Sequence, residues 1–135
     1  RGLSPCPNSP NCVCSDEPIE SQQYIAPIAS ANAERSDEEA TDDSRGQRLL
    51  AAIATYLKGQ SEFQIIAQTD NALKVEARTS LLRFVDDIDM QVRGERVFVR
   101  SASRVGYSDF GKKRSRLERL RTQMVEDGMA KPLSK

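Results

Sequence analysis

The sequence predicts an α+β domain in which a four-stranded antiparallel meander carries two helices on its apolar face, with a Cys/Pro-rich loop at the N-terminus. Three observations predict it. Between Phe63 and Val105 apolar residues alternate in four short runs separated by turn residues. Leu49, Leu50, Ile53 and Leu57, and later Leu117, Leu120 and Met124, recur at helical spacing. All three cysteines fall between Cys6 and Cys14, among prolines. At 135 residues the chain fits one domain with flanking segments. We divide it into a Cys/Pro-rich extended segment (1–30) packed on the domain, an acidic linker (31–44), the α+β domain (45–127) and a tail (128–135).

The N-terminal run LSPCPNSPNCVCS is extended and turn-rich, as its prolines dictate. Cys6 and Cys12 are spaced to close a small disulfide loop suited to an oxidising compartment. Unpaired packing cysteines, a reactive Cys14 and a metal site on Cys6, Cys12 and Cys14 are the alternatives. The metal site would need a fourth ligand from elsewhere, and its spacing fits no zinc module. Residues Pro18 to Ser30 show no sustained period and read as irregular chain. Ala31 to Ser44 is acidic and lacks large apolar residues, the composition of a linker. Ser44 then starts a helix, Gln47 completes a capping box, and Gly59 stops it. Its apolar stripe reads as core.

Phe63 to Ala67 and Leu73 to Ala77 form one antiparallel pair around Asp70-Asn71, and Thr79 to Arg83 leads into a second. If Gly94-Glu95 is a two-residue turn, Val92/Val97, Met90/Val99, Ile88/Ser101, Asp86/Ser103 and Phe84/Val105 face each other. The apolar residues then share one face. Asp86 points to that same face beside Ser101 and Ser103, as an internal carboxylate satisfied by hydroxyls or loop amides, or as a ligand or catalytic group. The opposite face pairs Asp89 with Arg100 and sets Asp87 diagonal to Arg100 and Arg104, an ion-pair lattice read as a solvated surface.

Gly106 and Gly111 bracket Tyr107-Ser108-Asp109-Phe110 before a second helix, Lys112 to Val125. Gly-x-x-x-x-Gly-Lys superficially matches a phosphate-cradling loop. It is rejected because Lys113 stands where Ser or Thr should hold magnesium and no βαβ pattern surrounds it. Free amides at the helix start, near Arg104, Lys112 and Lys113, offer an anion site unless Ser108 or Asp109 caps them. Lys112, Lys113, Arg114, Arg116, Arg119 and Arg121 read as a solvated basic face around the apolar stripe.

Composition excludes more than it selects. Twenty basic residues balance twenty acidic ones, and there is neither His nor Trp. Histidine acid–base chemistry and histidine metal sites are therefore ruled out. Aromatic residues are scarce at 5% and no groove-reading motif is present, so no nucleic-acid partner is expected. No metal and no cofactor is expected. No signal peptide or apolar run of membrane-spanning length occurs, while a chain opening on Arg1 reads as a trimmed product, leaving membrane association through a removed or absent N-terminal segment open.

Two blocks, LSPCPNSPNCVCS and LLRFVDDIDMQVRGERVFVRSASRVGYSDFGKKRSRLERLR, resemble the family called domain of unknown function 1499. The first carries that family's Cys-Pro-x-Ser-Pro-Asn-Cys-Val-x-Ser opening at Cys6 to Ser15. The second carries its Arg-Ser-x-Ser-Arg-x-Gly-x-x-Asp-x-Gly signature at Arg100, Ser101, Ser103, Arg104, Gly106, Asp109 and Gly111. The resemblance implies a small bacterial envelope or plastid protein, often membrane-associated through an N-terminal segment, and no particular activity. Cys14 departs from the pattern, where a serine is usual. Lys112 and Lys113 depart from it too, and Glu34 to Asp43 looks like an insertion.

The resulting expectation is a non-enzymatic extracytoplasmic binding or assembly module. Arg100, Ser103, Arg104, Tyr107 and Asp109 would contact an unknown protein or small anionic ligand, with Asp86 and Ser101 as buried polar residues beneath. The alternative is a hydrolase or thiol-dependent enzyme using Asp86 or Asp109 with a cysteine, although no nucleophile–base pair can be read off. A third reading makes the signature a structural salt-bridge network.

Overall fold

Chain reversal at Gly94, held at φ +61° in the left-handed region that glycine adopts without strain, sets the register of the central hairpin. The hairpin joins β5 (Val85–Arg93) to β6 (Arg96–Ser103). Val92 faces Val97, Met90 faces Val99, Ile88 faces Ser101 and Asp86 faces Ser103, as the alternation requires. The structure is a computed structural model and describes residues 2–7, 11–31, 41–78, 84–104 and 112–133. The predicted Phe84/Val105 pair, the Thr79 to Arg83 lead-in and the Tyr107 to Phe110 loop fall wholly or partly outside the described residues.

The chain runs β1 (Cys12–Cys14), β2 (Ile28–Ala29), α1 (Asp42–Lys58), β3 (Phe63–Gln68), β4 (Ala72–Arg78), β5, β6 and α2 (Lys112–Glu126). The fold is α+β with an antiparallel sheet, as expected, but the sheet has six strands rather than four. Its order is β1-β6-β5-β4-β3, with β2 also on β6. Both extra strands come from the N-terminal segment: Cys12 pairs with Ala102, Cys14 with Arg100 and Ile28 with Val97. Strands of three and two residues are too short to show an alternation, which is why the sequence does not announce them.

β3 and β4 pair around the Asp70-Asn71 turn, with a bulge between Ile65 and Ala67 that leaves Ile66 outside the ladder. One face of the sheet is apolar. Leu73, Val75, Ile88, Met90, Val97 and Val99 are buried there with Leu49, Leu50, Ile53 and Leu57 of α1 and Leu117, Leu120 and Met124 of α2. Helix α1 begins earlier than the Ser44/Gln47 pattern suggests. Thr41 is the N-cap, accepts from the Ser44 amide at 3.0 Å, and Ser44 Oγ accepts from the Thr41 amide at 3.0 Å. The acidic run thus ends inside the helix, where Asp42 and Asp43 complement the dipole of the first turn. Gly46 brings α1 against the central hairpin so closely that a Cβ there would collide with the Gly94 carbonyl.

The basic face of α2 is the second difference. Lys113, Arg116 and Arg121 are buried together with Leu117, Leu120 and Met124. Positions 113, 116, 117, 120, 121 and 124 follow a single helical stripe, so the cations share the face that packs on the domain.

Candidate functional site

Two polar layers meet at the β5–β6 hairpin, one on each face of the sheet, because Asp86 and Asp87 point to opposite faces. On the inner face Asp86 is 6% exposed. Its Oδ1 accepts from Ser103 Oγ at 2.8 Å and lies 3.4 Å from Lys113 Nζ; its Oδ2 accepts from Arg116 Nη1 at 2.7 Å. Arg116 Nε donates to Glu62 at 3.0 Å. Two buried cations thus meet the buried Asp86 and the partly exposed Glu62, joining α2 to β5, β6 and the approach to β3. Full enclosure of a charge is costly, and this geometry compensates by giving each buried ion an opposite partner. Next to it Ser101 Oγ is fully buried and has no hydrogen-bond partner.

On the outer face Arg104 is clamped by carboxylates. Its Nε and Nη2 donate to Asp87 at 2.9 and 2.8 Å, and Nη2 also to Glu76 at 2.6 Å. Glu76 accepts in addition from Arg78 at 3.0 Å. The Arg104 guanidinium holds the Asp87 carboxyl below the usual carboxylate range. Asp89 faces Arg100 in register but does not pair with it. Its oxygen accepts instead from Lys74 Nζ at 2.8 Å, since Lys74 of β4 stands directly across from it on the other side. That ion pair raises the Lys74 ammonium. Arg100 is left with one long bond, Nη2 to the Pro5 carbonyl at 3.3 Å, while its Nε is buried without an acceptor.

The N-terminal segment covers this face. Cys6 and Cys12 are joined, and Cys14 remains a buried free thiol. Cys14 points toward the Ser4 carbonyl at 3.9 Å and accepts from the Asp16 amide at 3.4 Å; burial pushes its thiol up, away from the reactive thiolate. Arg93 grips both oxygens of Asp16 at 2.6 and 2.7 Å and lies 4.2 Å over the Phe98 ring. The Arg93 guanidinium lowers the Asp16 carboxyl. From α2, Arg114 donates to the carbonyls of Tyr24 and Gln22 at 2.7 and 2.8 Å. Arg121 likewise donates to those of Ala26 and Pro27 at 2.7 and 2.9 Å. The segment is therefore bound to both ends of the fold by arginines. Between its Gly2–Ser4 stretch and the β3–β4–β5 surface a crevice of about 310 Å³ opens, with Lys74, Asp89, Gln91 and Thr69 among its walls.

The candidate residues thus divide. Asp86, Ser101 and Ser103 gather on the inner face, Arg100 and Arg104 on the outer, and Tyr107 and Asp109 lie outside the described residues. Sequence reasoning missed Lys113 and Arg116 as partners of Asp86, and Glu62 as the second partner of Arg116. The signal for the first two was present in the helical stripe they share with Leu117, Leu120 and Met124. The Arg93–Asp16 pair had none, since its members stand 77 positions apart. No group of three or more metal-ligating residues occurs among the described residues, and no helix among them is long and apolar enough to cross a membrane.

Comparison with curated proteins found no match, and neither did comparison with solved structures. The family model described as "Protein of unknown function (DUF1499)" matches residues 2–124, nearly the whole chain, and the chain belongs to that family.

Proposed function

We propose that the protein is a non-enzymatic binding or assembly module acting outside the cytoplasm, and that it recognises a small polar or anionic group on the outer face of its sheet. Arg100 carries this reading. Its Nε is the one guanidinium nitrogen among the described residues that is buried without an acceptor, and an unsatisfied buried donor of this kind is where a ligand oxygen gains most. Arg100 also donates to Pro5 and stands across from Asp89, itself a wall of the crevice roofed by Gly2–Ser4, whose volume suits a small ligand. Arg104, already shared by two carboxylates, contributes orientation rather than free charge. The Cys6–Cys12 disulfide supports an oxidising compartment.

The enzymatic alternative has less behind it. Both Asp86 oxygens are engaged by Ser103, Lys113 and Arg116, and Cys14 is sealed from solvent. Neither is placed to reach a substrate.

Native mass spectrometry of the protein isolated from its own source tests the proposal, with Arg100→Ala and Arg104→Ala alongside. A co-purifying mass that Arg100→Ala loses at unchanged melting temperature is the expected result. Retention of that mass by Arg100→Ala, or turnover that disappears with Asp86→Asn in a protein that still melts normally, would overturn it.

A further inference from the structure

Arg100 of β6 and Arg104 just beyond it lie on the outer face and carry the same side-on fork of donors, filled in one and open in the other. In Arg104, Nε and Nη2 donate to the two oxygens of Asp87 at 2.9 and 2.8 Å, the parallel pair of bonds that a carboxylate fits. In Arg100, Nη2 reaches only the neutral Pro5 carbonyl at 3.3 Å, and the buried Nε has no acceptor. The neighbouring carboxylates are engaged elsewhere. Asp87 is held by Arg104 and Asp89 by Lys74, while Glu17, which like Arg100 neighbours Cys14, accepts from the Cys6 amide at 2.9 Å. The adjoining crevice adds no unmatched charge. Lys74 and Asp89 are the only charged side chains in its walls and hold each other at 2.8 Å, while Leu3, Ala67 and Ala72 line it with apolar atoms.

Resting on the binding reading above, we propose that the ligand is a small monocarboxylate with an uncharged, partly apolar body. Its two oxygens take Nε and Nη2 of Arg100 in place of the Pro5 carbonyl, and its body extends past Asp89 into the crevice under Gly2–Ser4. A planar fork of two donors is matched by the two oxygens of a carboxylate, whereas a neutral amide offers it one. A single open cation with Asp87, Asp89 and Glu17 nearby also sets the charge. A second negative charge on the ligand would meet repulsion and find no partner.

Heteronuclear NMR of the whole chain reads the Arg100 Nε–H directly, as the resonance absent from Arg100→Lys. Butyrate, butyramide and succinate share a four-carbon skeleton and differ in charge at one end or the other. Each is titrated to about 10 mM, about tenfold above a Kd of about 1 mM. The expected result is a saturable downfield shift of that Nε–H by butyrate, with butyramide and succinate weaker by at least about tenfold. Asp89→Asn removes a neighbouring carboxylate and releases Lys74, and should bring succinate level with butyrate. Butyramide or succinate equal to butyrate in the parent protein, or a preference that Asp89→Asn leaves unchanged, would overturn the monocarboxylate while leaving a ligand at Arg100. Three inert probes would overturn it as well. A co-purifying mass lost in Arg100→Ala would then still uphold the binding reading, and retention of that mass would take both down.

Discussion

Asp86 and Arg116 meet at 2.7 Å inside the protein, both more than nine-tenths buried, and tie α2 to the start of the central hairpin. The contact explains how a helix with so many cations can lie against an apolar sheet: its buried cations are directed at Asp86, at Glu62 and Glu118, and at main-chain carbonyls. Arg116→Ala leaves Asp86 with Ser103 and the more distant Lys113, and stability should fall by about 3–5 kcal/mol. Urea denaturation of Arg116→Ala, Asp86→Ala and the double variant reads the coupling. Singles that simply add would show the pair to be inert.

Gly46→Ala gives a sign test. Inside an exposed helix this exchange stabilises by up to about 1 kcal/mol. Here the new methyl would meet the Gly94 carbonyl and Val92, so a loss of about 1–3 kcal/mol is expected, with the midpoint shift measured in urea.

Cutting the Cys6–Cys12 link should cost about 2–3 kcal/mol, the chain-entropy value for a short loop, when Cys6→Ser/Cys12→Ser is compared with the parent protein. In the native state Cys14 should resist alkylation and react only on denaturation, which a mass shift of one label reports.

Acid sensitivity should trace partly to Asp16. Its folded carboxyl is lowered by Arg93, so its contribution is present above the unfolded carboxylate pKa and lost as pH falls through the folded value. Stability should decline below about pH 4, and more gently in Asp16→Asn. Asp87 shifts in the same direction but is more exposed, so its share is smaller.

Removing either N-terminal grip of α2 should act locally. Arg114→Ala and Arg121→Ala each delete two bonds to main-chain carbonyls between Gln22 and Pro27. Faster amide exchange and proteolysis around residues 22–27 are expected, with the β5–β6 hairpin unchanged.

The legible parts of the fold were those governed by short-range pattern. The Gly94-Glu95 turn and the strand alternation placed Asp86 beside Ser103 correctly, because a period of two leaves little choice of face. What escaped was set by distance along the chain. Lys74 takes Asp89 away from Arg100 through the β4–β5 register, which a reading of one hairpin at a time does not consider. Short β1 and β2 carry no period at all. The cations of α2 were legible in spacing but misleading in type, since lysine and arginine in a stripe ordinarily signal solvent and only the matching Asp86 reverses that inference.

The seating of the N-terminal segment also closes the fold on itself. Ser15, Pro5, Gln22, Tyr24, Ala26 and Pro27 find their partners on Val99, Arg100, Arg114 and Arg121, between 84 and 95 positions downstream. The segment therefore has no seat until β6 and α2 are in place, and a sheet that includes β1 and β2 is a property of the whole chain rather than of any local stretch.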